Sequence, residues 1–104
     1  MIIAIVRFRL PDGTGLDEAR RLFETSAPNY RDRPGLLRKH YLFGNGFGGG
    51  VYLWDSRQAA ERLYTAEWRQ MIAKRYGSEP DIQYFENPLT IENATPTKKS
   101  TLAA

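Results

Sequence analysis

A chain of 104 residues, 41% hydrophobic, 26% charged and 12% aromatic, has the size and composition of one ordinary globular domain, which excludes a second independent core and a disordered or fibrous protein. It has no cysteine, which excludes disulfides, thiolate nucleophiles and Cys-ligated metals, and its one histidine, His40, is too few for a zinc or iron site, so no bound metal is expected. The formal charge of +3 draws two charges from Lys98 and Lys99 near the C-terminus, which leaves no basic stripe for nucleic acid. The apolar run Met1 to Val6 meets Arg7 and Arg9 too early for a signal peptide or a membrane span; no membrane partner and a cytoplasmic location are expected.

Ile2 to Arg9 is rich in β-branched residues and stops at Pro11-Asp12-Gly13, which predicts a strand and a turn. Thr14 with Asp17 forms a capping-box-like helix start, followed by Leu16, Ala19, Leu22, Phe23, Ala27 and Tyr30 at helical spacing. Pro28 ends that helix near Ala27, because its ring removes a donor and crowds the preceding turn. After the turn signal Pro34-Gly35, Leu36 to Phe43 reads as a second strand, Asn45-Gly46 as a hairpin tip and Gly50 to Trp54 as a third strand. Asp55 with Gln58 caps a second helix whose apolar stripe restarts at Thr65 and stops at Gly77. Pro80 to Ile91 supplies a fourth strand, and the Thr, Pro, Lys and Ser content from Ala94 to Ala104 predicts a disordered tail. The domain is thus expected over residues 1–93.

The order β-α-β-β-α-β predicts an α+β, ferredoxin-like domain with both helices on one face of an antiparallel sheet. A solvated second face would alternate with polar residues, yet Ile2 to Val6 and Val51 to Trp54 are apolar at consecutive positions. Something has to cover that face, and a twofold homodimer is the economical answer.

Two motifs fail on context. Gly44-Asn45-Gly46-Phe47-Gly48-Gly49 matches the dinucleotide pattern G-x-G-x-x-G, but it sits in a hairpin with no helix N-terminus to receive a pyrophosphate. Gly46-Phe47-Gly48 begins the strand-three signature of the RNA-recognition module, which shares this element order, and then fails at Gly49 and Gly50. Asn93-Ala94-Thr95 matches a glycosylation sequon, which has meaning only in a secreted protein. More suggestive is the aromatic set Tyr41, Tyr52, Trp54, Tyr64, Trp68, Tyr76 and Tyr84. Aromatic walls with polar tips suit a small, flat aromatic molecule, although most such residues serve as core.

Gly49-Gly50-Val51-Tyr52-Leu53-Trp54-Asp55-Ser56, followed by Ala59-Ala60 and Tyr64-Thr65-x-Glu67-Trp68, resembles the antibiotic-biosynthesis-monooxygenase-like superfamily, as does Pro34-Gly35-Leu36-Leu37-Arg38-Lys39. The resemblance runs from Met1 to about Asn93. It implies a dimeric α/β barrel in which two sheets pack face to face, with a pocket between sheet and helices in each subunit. It further implies oxidation of phenolic or quinone-like substrates without flavin, haem or metal.

An electron-rich phenolate can itself react with dioxygen, so the protein has to desolvate the ring, hold it and favour its deprotonated form. For such an enzyme Tyr41, Trp54, Tyr64 and Trp68 are the candidate walls of the substrate site. Tyr52 and Arg38 are candidates to hydrogen-bond the substrate's oxygens, and His40 is the candidate base; packing is an equal reading of His40. Hairpin register decides which of these share a face. A two-residue Asn45-Gly46 turn puts Tyr41, Tyr52 and Trp54 on one side with His40, Val51 and Leu53 on the other, whereas a bulge among the glycines puts His40 with Tyr52 and Trp54.

Overall fold

The computed structural model describes residues 1–94; the expected tail falls outside them except for Ala94, which is exposed. The chain runs β1 (Ile2–Arg9), α1 (Leu16–Ser26), a 3-10 turn (Ala27–Asn29), β2 (Leu36–Gly44), β3 (Phe47–Trp54), α2 (Arg57–Leu63), α3 (Ala66–Tyr76) and β4 (Asp81–Glu86). The four strands form one sheet in the order β2-β3-β1-β4, antiparallel between every pair of neighbours. This is the ferredoxin-like α+β arrangement predicted from the element order. No helix among the described residues is long and apolar enough to cross a membrane, and they contain no group of three or more His, Asp or Glu able to hold a metal.

Several boundaries differ from those expected. Thr14 does not cap α1: its hydroxyl donates back to the Pro11 carbonyl at 2.7 Å, and Gly15 takes the cap position without a side-chain bond. The second helix is two helices. Ser56, not Asp55, caps α2 by accepting from the Ala59 N–H, and Thr65 caps α3 by accepting from the Trp68 N–H. Gly77 closes α3 in the left-handed conformation, φ 88°. β4 stops at Glu86 rather than Ile91. The Asn87 N–H still donates to the Met1 carbonyl at 2.9 Å, but Pro88 has no N–H to continue the ladder, and the Asn87 side chain turns onto the Thr90 hydroxyl at 2.8 Å. From there the chain passes toward the far edge of the sheet, where Glu92 lies 3.7 Å from Arg38 of β2.

The glycines after the hairpin tip belong to β3 and not to a loop. Only Asn45 and Gly46 form the turn, with φ of 53° and 82°, as a two-residue connection between right-twisted strands requires. Gly49 has φ 152°, and a Cβ there would overlap the backbone carbonyl of Val6. Gly48 leaves room for the side chains of Phe8, Phe23 and Leu10. The bare backbone lets β1 and the helix layer close on this strand. It also disposes of the nucleotide reading, since the glycine run leads into a strand.

The tight turn selects the first of the two registers. Tyr41 pairs with Gly50, His40 with Val51 and Lys39 with Tyr52. One bulge occurs, between Leu36 and Arg38, far from the glycines. Ala4, Val6, Phe8, Tyr52 and Trp54 therefore point into the core beneath the helices, where Ala19, Phe23, Ala60, Leu63, Trp68 and Ile72 meet them. The opposite face carries Ile3, Ile5, Val51 and Leu53, all half-buried, with Arg38 and His40 exposed beside them.

Candidate functional site

The register divides the sequence-predicted site residues between two faces of the sheet. His40 and Arg38 point to the open face, and Arg38 faces Glu92 there. Neither lines the space under the helices, so the roles of base for His40 and oxygen donor for Arg38 have no geometric support in that space. Trp54, Tyr64 and Trp68 are core. Their exposures are 0%, 7% and 7%, and their polar atoms are satisfied internally: the Trp54 indole donates to the Tyr64 hydroxyl at 3.1 Å and the Trp68 indole to the Tyr30 hydroxyl at 3.2 Å. The cleft between sheet and helices and the grooves beside it are not lined by these three. Tyr41 and Tyr52 line that cleft.

That cleft lies between the sheet and the helices α1 and α3, among Phe23, Ser26, Tyr30, Lys39, Tyr41, Tyr52, Arg75 and Tyr76. Strand alternation puts Lys39 and Tyr41 on one face of β2, and pairing sets Lys39 opposite Tyr52. The turn that follows α1 brings Tyr30 over them. As a result the Lys39 ammonium position is enclosed by three phenol rings, with Nζ at 3.3 Å from the ring centre of Tyr30, 3.9 Å from that of Tyr41 and 4.6 Å from that of Tyr52. No ion pair involves Lys39 among the described residues. No Asp or Glu lines the cleft.

Two opposed forces act on this amine. Burial away from water penalises its charged form and brings it down from 10.5 to about 6. The negative faces of the three rings attract an ammonium and work the other way. The result is an amine whose charge is set near neutrality by its surroundings. Burial pushes the phenols of Tyr41, Tyr52 and Tyr76 upward, Tyr52 furthest, so at neutral pH each is a hydrogen-bond donor or acceptor and not a base. Tyr41 shares a 2.8 Å hydrogen bond with Ser26, a residue buried at the end of α1.

Arg75 is the second cation of the cleft. Its Nη2 donates to the Leu22 carbonyl at 3.0 Å, while its Nε is buried with no partner among the described residues. A buried donor left unpaired costs about 1–3 kcal/mol. The free space beside these groups is about 20 Å³, roughly one water molecule. Along the outside of α1 and β2 runs a wider groove of about 520 Å³, and the two share Phe23 and Tyr41 as a common wall.

Lys39, Tyr30 and Arg75 were absent from the sequence-level candidates. The first of them had a signal: Lys39 is two residues before Tyr41 and, in the register of a two-residue turn, directly across from Tyr52. Tyr30 and Arg75 come from other elements and had none.

No family model matches the sequence, and no curated protein matches it. Solved structures do. A monooxygenase from the gene ActVA-Orf6 of Streptomyces coelicolor, in complex with the ligand nanaomycin D, is 19% identical with TM-score 0.64, covering 89% of this chain and 92% of its own. SnoaB, a cofactor-independent oxygenase from Streptomyces nogalater, is 17% identical with TM-score 0.62, covering 88% and 97%. This chain has the fold of these two oxygenases. A third structure of this fold, MhuD in a mutant form with two manganese protoporphyrin IX bound per active site, is 22% identical with TM-score 0.62, covering 89% and 100%. Within this fold, the cleft under the helices is where β2, β3, α3 and the turn after α1 bring two basic side chains and four tyrosines together.

Proposed function

We propose that the protein is a cofactor-independent, monooxygenase-like enzyme that oxidises a small phenolic or quinone-like molecule, and that it works as a homodimer. The observation that carries this reading is the cleft itself. It is walled by tyrosine rings, holds Lys39 and Arg75, and contains no carboxylate. Such a lining attracts a ring with an acidic hydroxyl and favours its phenolate, the form that gives an electron to dioxygen most readily. Two proteins of this fold, described as a monooxygenase and a cofactor-independent oxygenase, support the same reaction class.

A metalloporphyrin fits the residues poorly. His40 is the chain's only histidine and lies on the open face, so the cleft offers no imidazole. Entry of a ring requires side chains to move, because the free space is that of one water; Met71 lines the cleft and is 39% exposed, and its unbranched chain is suited to yielding. The second reading is a dimeric protein that binds a small aromatic molecule in the same cleft without turnover.

The dimer is supported by the open sheet face, where Ile3, Ile5, Val51 and Leu53 form a half-buried apolar centre and Phe85 is 49% exposed. Leu89 and Ile91, beyond β4, are 77% and 80% exposed. A second sheet packed over these residues would remove a patch that a monomer leaves in water.

The deciding experiment measures oxygen uptake with a panel of hydroquinones and anthrones, alongside equilibrium binding of the same compounds followed by tryptophan fluorescence. Uptake that saturates with one of them supports the enzyme. Affinity without uptake supports the binding protein, and neither affinity nor uptake refutes the phenolic reading.

A further inference from the structure

A phenol held in the cleft has to lose its proton before it can be oxidised, and the sequence offered His40 for that step. His40 is on the other side of the sheet. Tyr41, Tyr52 and Tyr76 are poor acceptors, since burial keeps them protonated. Among the groups that line the cleft, Lys39 is the one that has a lone pair to offer when uncharged and a built place for the charge it acquires. We propose that Lys39 is the proton acceptor for a ring hydroxyl bound in this cleft, and that Arg75 donates to the oxyanion left behind. This assignment rests on the phenolic reading above.

The step balances without a redox partner. The substrate's O–H bond breaks, an N–H bond forms on Lys39, and a phenolate and an ammonium remain as an ion pair in a site poor in water. Three features favour that product. The rings of Tyr30, Tyr41 and Tyr52 stand at 3.3, 3.9 and 4.6 Å from Nζ and stabilise the ammonium. The buried Nε–H of Arg75, without an acceptor among the described residues, gains one in the phenolate oxygen. No carboxylate lines the cleft and no ion pair involves Lys39 among the described residues, so on the cleft side the phenolate is the counter-ion of the new ammonium. Before the step, burial disfavours the charged amine and keeps it ready to accept.

The groups that set this balance come from every element around the amine: Tyr30 from the turn after α1, Tyr41 from β2, Tyr52 from β3, and Arg75 with Tyr76 from α3. On the outer side, Arg31, Asp32 and Arg38 border a shallow groove that Lys39 also lines. Lys39 thus sits in the wall between that groove and the cleft, in contact with both.

The test uses para-nitrophenol, whose phenolate absorbs in the visible, bound to the full chain. With wild-type protein the bound phenol should ionise about one pH unit or more below the free phenol, the size of shift that a nearby charge partner produces. Lys39→Met should bind it within about tenfold of wild type but leave it neutral, since lost acid–base function spares ground-state binding. Lys39→Gln should do the same, which guards against one variant that folds poorly. Arg75→Gln should retain the ionisation and weaken binding above the phenol's apparent pKa. Lys74→Met, at an exposed lysine of α3 outside the cleft lining, should match wild type. Bound phenolate in Lys39→Met equal to that in wild type overturns the assignment while the phenolic reading stands. Failure of the wild-type protein to bind the phenol overturns both.

Discussion

Replacing Lys39 by methionine keeps the length and bulk of the side chain and removes only the amine, so its effect on stability reads the state of that amine. In the unfolded chain the group is charged below its ordinary 10.5, and burial lowers it to about 6 in the folded protein. Between those values the unfolded state binds one more proton than the folded state, so the stability of the wild type rises with pH across that window. Each unit of difference is about 1.4 kcal/mol. Folding at pH 7 therefore carries a penalty of at most about 5 kcal/mol, and at pH 9 of at most about 2 kcal/mol. Attraction to the three ring faces opposes burial and trims this penalty; a rise below about one unit, roughly 1 kcal/mol, leaves the folded amine uncharged at neutral pH. Lys39→Met should accordingly be more stable than wild type by roughly 4 kcal/mol at pH 7, a margin that falls to about 2 kcal/mol at pH 9 and keeps shrinking toward 10.5. Urea unfolding of both proteins at half-unit intervals from pH 6.5 to 10 measures it, and the ionisation of tyrosines cancels in the difference. A variant that is less stable than wild type at pH 7, or a margin that does not change between pH 7 and 10, would show that the cage holds a fully charged ammonium and would refute the reasoning.

Gly49→Ala should abolish the native fold or cost more than about 4 kcal/mol, because the new Cβ meets the Val6 carbonyl and the backbone stands at φ 152°; loss of the cooperative thermal transition in far-UV circular dichroism checks it, and a melting temperature within a few degrees of wild type refutes it. Leu53→Arg puts a charge at the centre of the open sheet face, opposite Ile3 of β1. If two sheets pack there, sedimentation velocity should find the wild type as a dimer and the variant as a folded monomer.

Much of the scaffold was legible in one dimension. Breakers at Pro11-Asp12-Gly13, Pro34-Gly35, Asn45-Gly46 and Gly77 punctuate the chain, and the apolar periods between them change from two to three or four residues as strand gives way to helix. Local chemistry decides these features, and local chemistry is written in sequence. The errors were local competitions in which a neighbour won: Ser56 displaced Asp55 as a cap, Thr14 spent its hydroxyl on Pro11, and Pro88 cut β4 short. The glycine run was misjudged for a different reason. Gly48, Gly49 and Gly50 are small because of what lies across from them in β1, α1 and β2, which composition does not record.

The candidate site divides in the same way. By itself the sequence determined the fold class, the excess of tyrosine and tryptophan, the absence of thiols and the single histidine. Register was decided only in the folded structure, because a shift of one residue turns every side chain of a strand to the other face. That one choice sent His40 and Arg38 outward and Lys39 with Tyr41 inward, against Tyr52. Trp54, Tyr64 and Trp68 became core because their polar atoms found partners on other elements. Lys39 acquired its character from Tyr30, Tyr41 and Tyr52, which lie on three separate segments and meet around one amine only when the sheet and the helix layer close.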